Sequence, residues 1–153
     1  MIAIIHKYLC KKRNVPFDRL FERNPKNGRL KRDRELVICR QLVVYYAMAN
    51  GYSERESGAY FDNQDHATAH HAKTKIRGLC DIYRDFRFDV AEYDKALIGL
   101  RGLNDKEILN KLEYDEKERV EYINRAVREC TDQITALQKR LGMLKSILKD
   151  IRI

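Results

Sequence analysis

The stretch that decides the fold runs from Ser53 to Ala72 and reads SERESGAYFDNQDHATAHHA. Ser53, with Glu56 three residues later, has the spacing of a capping box, which predicts the start of a short helix. The polar run 62–64 predicts a tight turn. Asp65 is a candidate N-cap for a second helix. The stretch therefore predicts two short helices joined by a turn.

The second helix is expected to run to about Leu79. Ala69, Ala72, Ile76 and Leu79 share its inward face, whereas Thr68, His71 and Lys75 form a separate stripe that is open to a ligand. Small, polar and imidazole side chains occupy its first turns. A helix whose N-terminal end enters the major groove of DNA needs such a composition.

Basic residues are concentrated in the first half of the chain. The net charge is +8, and residues 1–80 contain 16 Lys and Arg against 8 Asp and Glu, whereas residues 81–153 contain 15 of each. Residues 22–34 form a loop by their Asn-Pro and Asn-Gly pairs. The loop is suited to phosphates or the minor groove, chiefly through Arg29, Lys31, Arg32 and Arg34.

The remaining periodicity is helical. Helices are expected over 2–13, 35–50 and 81–103, with a short helix or turn at 15–21 and a long helix from an N-cap at Asn104. In the apolar helix 35–50, Arg40 and Gln41 are expected to point away from the buried face. Asn50-Gly51 predicts the end of that helix.

The long helix carries an uninterrupted heptad repeat, called the seam below. Apolar residues and one Cys alternate at spacings of three and four, which is typical of a coiled coil. The seam could pair with a second copy of the chain or fold back on residues 81–112; its β-branched residues at one core position favour two strands. Its members are Val120, Ile123, Val127, Cys130, Ile134, Leu137, Leu141, Leu144, Leu148 and Ile151.

Several other classes of protein are not expected. The sequence has no apolar run long enough for a transmembrane helix and no signal-peptide pattern. The four cysteines are far apart and predict reduced thiols of a cytoplasmic protein. His66 and His70 lack a third metal ligand at a suitable spacing. We therefore expect no metal, no cofactor and no enzymatic activity.

A family resemblance follows from an Arg-Gln pair and a gapless run of motifs. These motifs resemble the C-terminal DNA-binding domain (domain IV) of the bacterial replication initiator DnaA, a fold related to the tryptophan repressor. They are Arg40-Gln41, Ser53 to Phe61, Asp65-His66-Ala67-Thr68, His71-Ala72 and Lys75-Ile76. The resemblance covers residues 1 to about 86. It implies an all-α helix-turn-helix domain at 1–86. The heptad repeat predicts that a helical, coiled-coil oligomerisation region follows at 87–153.

The resemblance also implies roles for individual residues. Asp65, His66 and Thr68 would contact base edges, and Arg40, Gln41, Gln64, His71 and Lys75 would contact phosphates. The sequence departs from the family pattern at Gln64, where the family has Arg, at Ala67, where it has Thr, and at Ala69, where it has Val. No P-loop motif is present, so a complete ATP-dependent initiator is not expected.

Two functions are compatible with these patterns. The first is a sequence-specific double-stranded DNA-binding protein that regulates transcription or replication as a homodimer or higher homo-oligomer. It would act in the cytoplasm, at the bacterial nucleoid or, if phage-encoded, in the host cell. The alternative is a structural or interaction protein of a phage or mobile element that works through its coiled coil. The three departures from the family pattern favour that alternative.

Overall fold

The computed structural model describes residues 1–62 and 66–150, and their side chains except at 62, 66–68 and 148–150. This part of the chain is all-α, and its strand-like feature is an isolated bridge between Arg23 and Leu30. A short 3-10 helix, Phe17–Phe21, accompanies the α-helices. These are α1 Ile2–Lys12, α2 Arg34–Ala49, α3 Glu54–Asp62, α4 His66–Ile82, α5 Arg84–Leu97 and α6 Asp105–Asp150.

The chain divides into two compact units, Met1–Lys111 and Leu112–Ile153. The first unit extends beyond the boundary at residue 86 that the sequence suggested. It includes α5, whose Val90, Tyr93 and Leu97 are buried.

Helix α2 is the centre of the first unit and packs against α1, α3 and α4. Its Leu42, Val43 and Tyr46 are fully buried, as the apolar run 35–50 predicted. The Tyr46 hydroxyl donates to Asp94 Oδ1 on α5 at 2.8 Å. Because this hydroxyl is desolvated and bonded to a carboxylate, the pKa of Tyr46 is raised.

Asn50 ends α2 and ties it to the segment after α5. This side chain is 4% exposed. Its Nδ2 donates to the carbonyl oxygens of Tyr46, at 2.8 Å, and Leu97, at 2.6 Å, while its Oδ1 accepts from Leu100 N–H at 2.8 Å. Gly51 follows with φ +91°, a left-handed conformation that a residue without Cβ adopts at no steric cost.

The capping box predicted at Ser53 and the N-cap predicted at Asn104 are both present. Glu56 N–H donates to Ser53 Oγ at 3.2 Å and Ser53 N–H donates to Glu56 Oε2 at 2.8 Å. The Asn104 and Glu107 pair repeats the pattern at 3.0 and 2.7 Å. These bonds satisfy backbone donors that have no partner within the helix, and so fix where α3 and α6 begin.

The second unit is the helical continuation of α6. The seam residues whose exposure is quantified, from Val120 to Leu144, are 47 to 62% exposed, and Cys130 is also exposed. Leu148 has a helical backbone, and Ile151 lies outside the described residues. A continuous apolar stripe is therefore open to solvent along this helix.

Candidate nucleic-acid interface

Helix α4 presents one face to the core and another to solvent. Ala69, Ala72 and Ile76 are at most 2% exposed. The helix packs against α2 and α3. His71 and Lys75 are exposed. The two faces predicted from the sequence are thus confirmed at these residues, and Leu79 at the end of the inward face is half-buried.

Two of the three residues expected to contact bases, His66 and Thr68, lie at the start of α4. Asp65 and the neighbouring Gln64 lie outside the described residues. His66 begins α4 and Thr68 belongs to its first turn, but the described side chains do not include theirs. The backbone therefore places His66 and Thr68 at the N-terminal end of the helix, which is the end that a helix-turn-helix directs into the major groove.

Arg40 does not point outward, so the expectation of an exposed side chain was wrong. The residue is 7% exposed. Its Nε donates to Leu20 O and its Nη1 to Lys31 O, both at 2.6 Å. Burial lowers the pKa of this guanidinium. Because Leu20 belongs to the 3-10 helix and Lys31 to the basic loop, Arg40 fixes both segments to α2.

Gln41, predicted to point outward beside Arg40, is half-buried. Its Oε1 is inaccessible to solvent and has no hydrogen-bond partner among the described atoms. The expected outward orientation of Gln41 is therefore only partly met.

The basic loop is an ordered hairpin. Asn24 N–H donates to Arg29 O at 2.7 Å, and Lys31 N–H donates to Glu22 O at 2.9 Å. Gly28 adopts φ +67° at the tip. A backbone paired in this way presents its side chains in a fixed arrangement, which lowers the entropy that binding would cost.

The four basic residues singled out in this loop differ in their surroundings. Arg29, Arg32 and Arg34 are exposed. The Arg34 guanidinium lies 5.8 Å from the ring centroid of Tyr83. Lys31 is half-buried, and its Nζ lies 2.8 Å from Glu22 Oε2, which lowers the pKa of that carboxyl. Three exposed arginines thus remain available to an anionic partner.

Two further cations on α4 were missed by the sequence analysis. Lys73 and Arg77 are exposed, and they line an open groove of about 510 Å³ with Tyr45, Met48 and Tyr52. Their spacing of four residues was a signal for a shared face. The groove itself could not be predicted, because α2 and the start of α3 supply its other wall.

Side-chain contacts link α3 to α4 and to α1. His70 Nδ1 lies 3.4 Å from Glu54 Oε1 across the two helices. On the opposite side of α3, Tyr60 Oη lies 3.1 Å from Nδ1 of His6, which is fully buried and stacks on Phe17 with ring centroids 4.0 Å apart. Burial lowers the pKa of His6 to about 4, so this imidazole is neutral at pH 7.

Three other features of the described part of the chain concern metal ligands, thiols and membrane-spanning helices. No cluster of three or more His, Cys, Asp or Glu side chains there could hold a metal ion. Cys10 and Cys39 are buried free thiols whose pKa values are raised by burial, that of Cys39 to about 12. Across the same residues, none of the helices has the length and apolar character needed to cross a membrane.

Comparison with known proteins identifies relatives for part of the chain. A chromosomal replication initiator protein DnaA from Bacteroides fragilis (strain YCH46) is 34% identical over 67 residues. The DnaA of Bacteroides thetaiotaomicron is 33% identical over 67 residues. This part of the chain is similar to DnaA. The resemblance drawn from the sequence motifs is thereby confirmed.

The extent of the similarity to DnaA is limited. It covers 43% of this chain, and the chain covers 14% of the length of each DnaA relative. No family model matches the chain. The comparison with solved structures gave no significant match.

Proposed function

We propose that this chain is a sequence-specific double-stranded DNA-binding protein that regulates transcription or replication as a dimer. The observation that carries the proposal is the polar stripe on α4. His71 and Lys75 are exposed on a helix whose opposite face, Ala69, Ala72 and Ile76, is buried. The similarity of 67 residues to chromosomal replication initiators supports DNA binding.

The proposed roles follow the position of each residue on this surface. His66 and Thr68 at the start of α4, with Asp65 directly before them in the sequence, read base edges, since Asp accepts from the cytosine amino group and Thr or His bonds to base edges. Gln64, His71 and Lys75 contact phosphates and set the register. The exposed loop residues Arg29, Arg32 and Arg34, with Lys31, add phosphate or minor-groove contacts.

In this proposal the buried Arg40 supports the interface indirectly. Its bonds to Leu20 O and Lys31 O, both 2.6 Å, hold the loop beside α2. Gln41, whose side chain is half-buried, keeps its proposed phosphate role. Lys73 and Arg77 supply positive charge next to the reading stripe, which increases affinity without selecting sequence.

The seam is the proposed dimer interface. Its quantified apolar side chains are 47 to 62% exposed in the single chain, which makes them available to a second copy. Burying an apolar side chain contributes about 1.5–3 kcal/mol when burial is complete. A dimer joins two DNA-binding units, so binding of the second unit benefits from a high effective concentration.

We further propose that the chain binds DNA without catalysing a reaction on it, and that it acts in the bacterial cytoplasm, on nucleoid or phage DNA. A second candidate is a structural or interaction protein that works through its coiled coil. The specific observation favouring it is the open apolar seam, which would serve a protein partner equally well.

Selection of bound duplexes from a random library tests the first proposal directly. The wild-type chain should enrich a motif at moderate salt, and Asp65→Ala with His66→Ala should abolish the enrichment. Recovery of unenriched sequences by the wild-type chain would reject sequence-specific reading and favour the second candidate.

Two double variants that remove the same charge test whether the cations on α4 contribute more to DNA binding than cations elsewhere on the chain. Lys73→Ala with Lys75→Ala should weaken binding and reduce the salt slope, since each lost phosphate contact lowers the slope by about 0.9. Arg125→Ala with Lys139→Ala removes the same charge from exposed outer positions of α6 and should leave the slope unchanged. Equal effects of both pairs would count against an interface on α4.

A further inference from the structure

The flanks of the seam carry information about how two copies would pair. In each heptad, the residue before the first core position and the residue after the second core position border the apolar stripe. The first set is Arg119, Ala126, Gln133, Arg140 and Ile147, and the second set is Asn124, Thr131, Gln138 and Lys145, with Arg152 beyond the described residues. Eight of the nine flanking residues in the described range are exposed, and Ala126 is half-buried.

A parallel pair would bring like charges together. In that arrangement a residue of the first set faces the second-set residue five positions later in the partner. Arg140 would then face the partner's Lys145, and symmetry would repeat the contact. The seam flanks contain no acidic residue that could compensate for it. Repulsion of this kind selects against an arrangement even when its core packs well.

An antiparallel pair separates Arg140 from Lys145 of the other copy. The register given below leaves one like-charge pair at each end of the overlap, Lys117 with Arg152, which lies beyond the described residues. First-set residues then face one another, and second-set residues face one another. If the two copies overlap over 120–151, Arg140 faces Gln133 and Lys145 faces Asn124, so each cation meets an amide oxygen that can accept its hydrogen bond. Thr131 faces Gln138, which is also a hydrogen-bonding pair.

Ile147 supports the same arrangement independently of charge. It is a large apolar side chain outside the core positions of the heptad, and it is 53% exposed. In the antiparallel overlap it faces Ala126 of the other copy, so the apolar surface extends beyond the core. A shift by one heptad in either direction would lose this contact. An overlap of 113–151 would set Lys117 against Lys145, and an overlap of 127–151 would set the two copies of Arg140 against each other.

We infer that the seam pairs with a second copy in the antiparallel direction, with Cys130 of one chain opposite Leu141 of the other. The inference rests on the proposed dimer and adds its direction and register. The two copies of Val120 would lie about 47 Å apart along the coiled coil, compared with about 10 Å in a parallel pair.

The native Cys130 makes the direction measurable in the full-length chain. Cys10 and Cys39 are buried, and Cys80 can be replaced by serine in every variant. Three variants carry a seam thiol at position 130 alone (C80S), at position 141 alone (C80S/C130S/L141C), or at both (C80S/L141C). A short bismaleimide, which joins two thiols by addition to each, is applied to every variant, with C80S/C130S as the control without a seam thiol.

Antiparallel pairing predicts cross-linked dimer in the variant with both thiols and its loss in the variants with one. Cross-linking of either single-thiol variant would overturn the inference, because only a parallel pair places equivalent positions opposite each other. A dimer by light scattering that cross-links in none of the three would overturn the register. A mass of one chain, 18.2 kDa, in every variant would instead reject the proposed dimer itself.

Discussion

Replacing Arg40 with methionine tests whether this residue positions the basic loop or contacts DNA itself. Its Nε and Nη1 each donate across 2.6 Å, to Leu20 O and Lys31 O. Methionine keeps an unbranched apolar stem but has no donor, so both carbonyl oxygens lose a charged partner. The 3-10 helix and the basic loop would then lose a common attachment to α2.

The expected loss of stability follows from these two bonds. A hydrogen bond that involves a charged group contributes about 1.5–3 kcal/mol net, so the pair sets an upper limit of roughly 6 kcal/mol. Part of this is recovered, because the variant no longer desolvates a guanidinium whose Nη2 is buried without a hydrogen-bond partner among the described atoms. We expect R40M to lower the free energy of unfolding by about 2–4 kcal/mol.

Urea denaturation measures this loss, and two variants provide controls. Arg32 is an exposed cation in the same loop. R32M should therefore change the free energy of unfolding by no more than about 0.5 kcal/mol. R40K keeps the charge but lacks the planar fork of donors, so it should recover only part of the loss.

The salt dependence of DNA binding separates the two roles. A residue that contacts phosphate directly contributes about 0.9 to the slope of log K against log salt. If Arg40 positions the loop, R40M lowers both the free energy of unfolding and the overall affinity for DNA. A stability loss below about 1 kcal/mol, together with a slope reduced by about 0.9, would refute the positioning role and restore Arg40 as a phosphate contact.

Three further predictions concern other parts of the chain. Asn50→Ala should lower the free energy of unfolding, measured by urea denaturation, by about 3–5 kcal/mol. The reason is that Leu97 O and Leu100 N–H lose their hydrogen-bond partner inside the protein. A loss below about 1 kcal/mol would contradict the role of Asn50. The pKa of His6 is about 4 in the folded chain and 6.5 in the unfolded chain, so the stability it contributes is complete above pH 6.5 and is lost as the pH falls toward 4. Because of this residue, the free energy of unfolding should be roughly 2 kcal/mol lower at pH 4.5 than at pH 7.5. His6→Phe should remove that part of the difference. Leu137→Asp should give a monomer in light scattering and weaken DNA binding, whereas Lys139→Asp at an outer position of α6 should remain dimeric; a dimeric L137D variant would argue against the seam.

Features encoded over a few residues were predictable from the sequence. Both capping boxes join residues three positions apart, and the inward face of α4 repeats with helical period. The Ser53–Glu56 bonds at 2.8 and 3.2 Å and the burial of Ala72 and Ile76 follow from such local rules. The same rules place the end of α2 at Asn50-Gly51.

The errors and omissions concern groups that are distant in sequence. Arg40 has the charge of a surface residue, but its partners lie 20 and 9 residues away, and the carbonyls they offer cannot be located from periodicity. Likewise, nothing local marks His6 as the centre of an aromatic cluster, because Tyr60 comes from α3. The groove beside Lys73 needs walls from α2 and α3. Long-range packing decided each of these cases.

The structure describes the surroundings of one of the three departures from the DnaA pattern, since Gln64 and the side chain of Ala67 lie outside the described part of the chain. Ala69, which replaces Val, is fully buried on the face of the helix that meets the core. The loss of two methyl groups there changes how closely α4 can approach its neighbours, since the distance between packed helices depends on the side chains at the contact. It removes no group from the polar stripe. Under the proposed function, a target sequence different from that of DnaA would depend on Gln64 and Ala67, beside the residues proposed to read bases, and the Ala69 substitution gives no support to a loss of DNA reading.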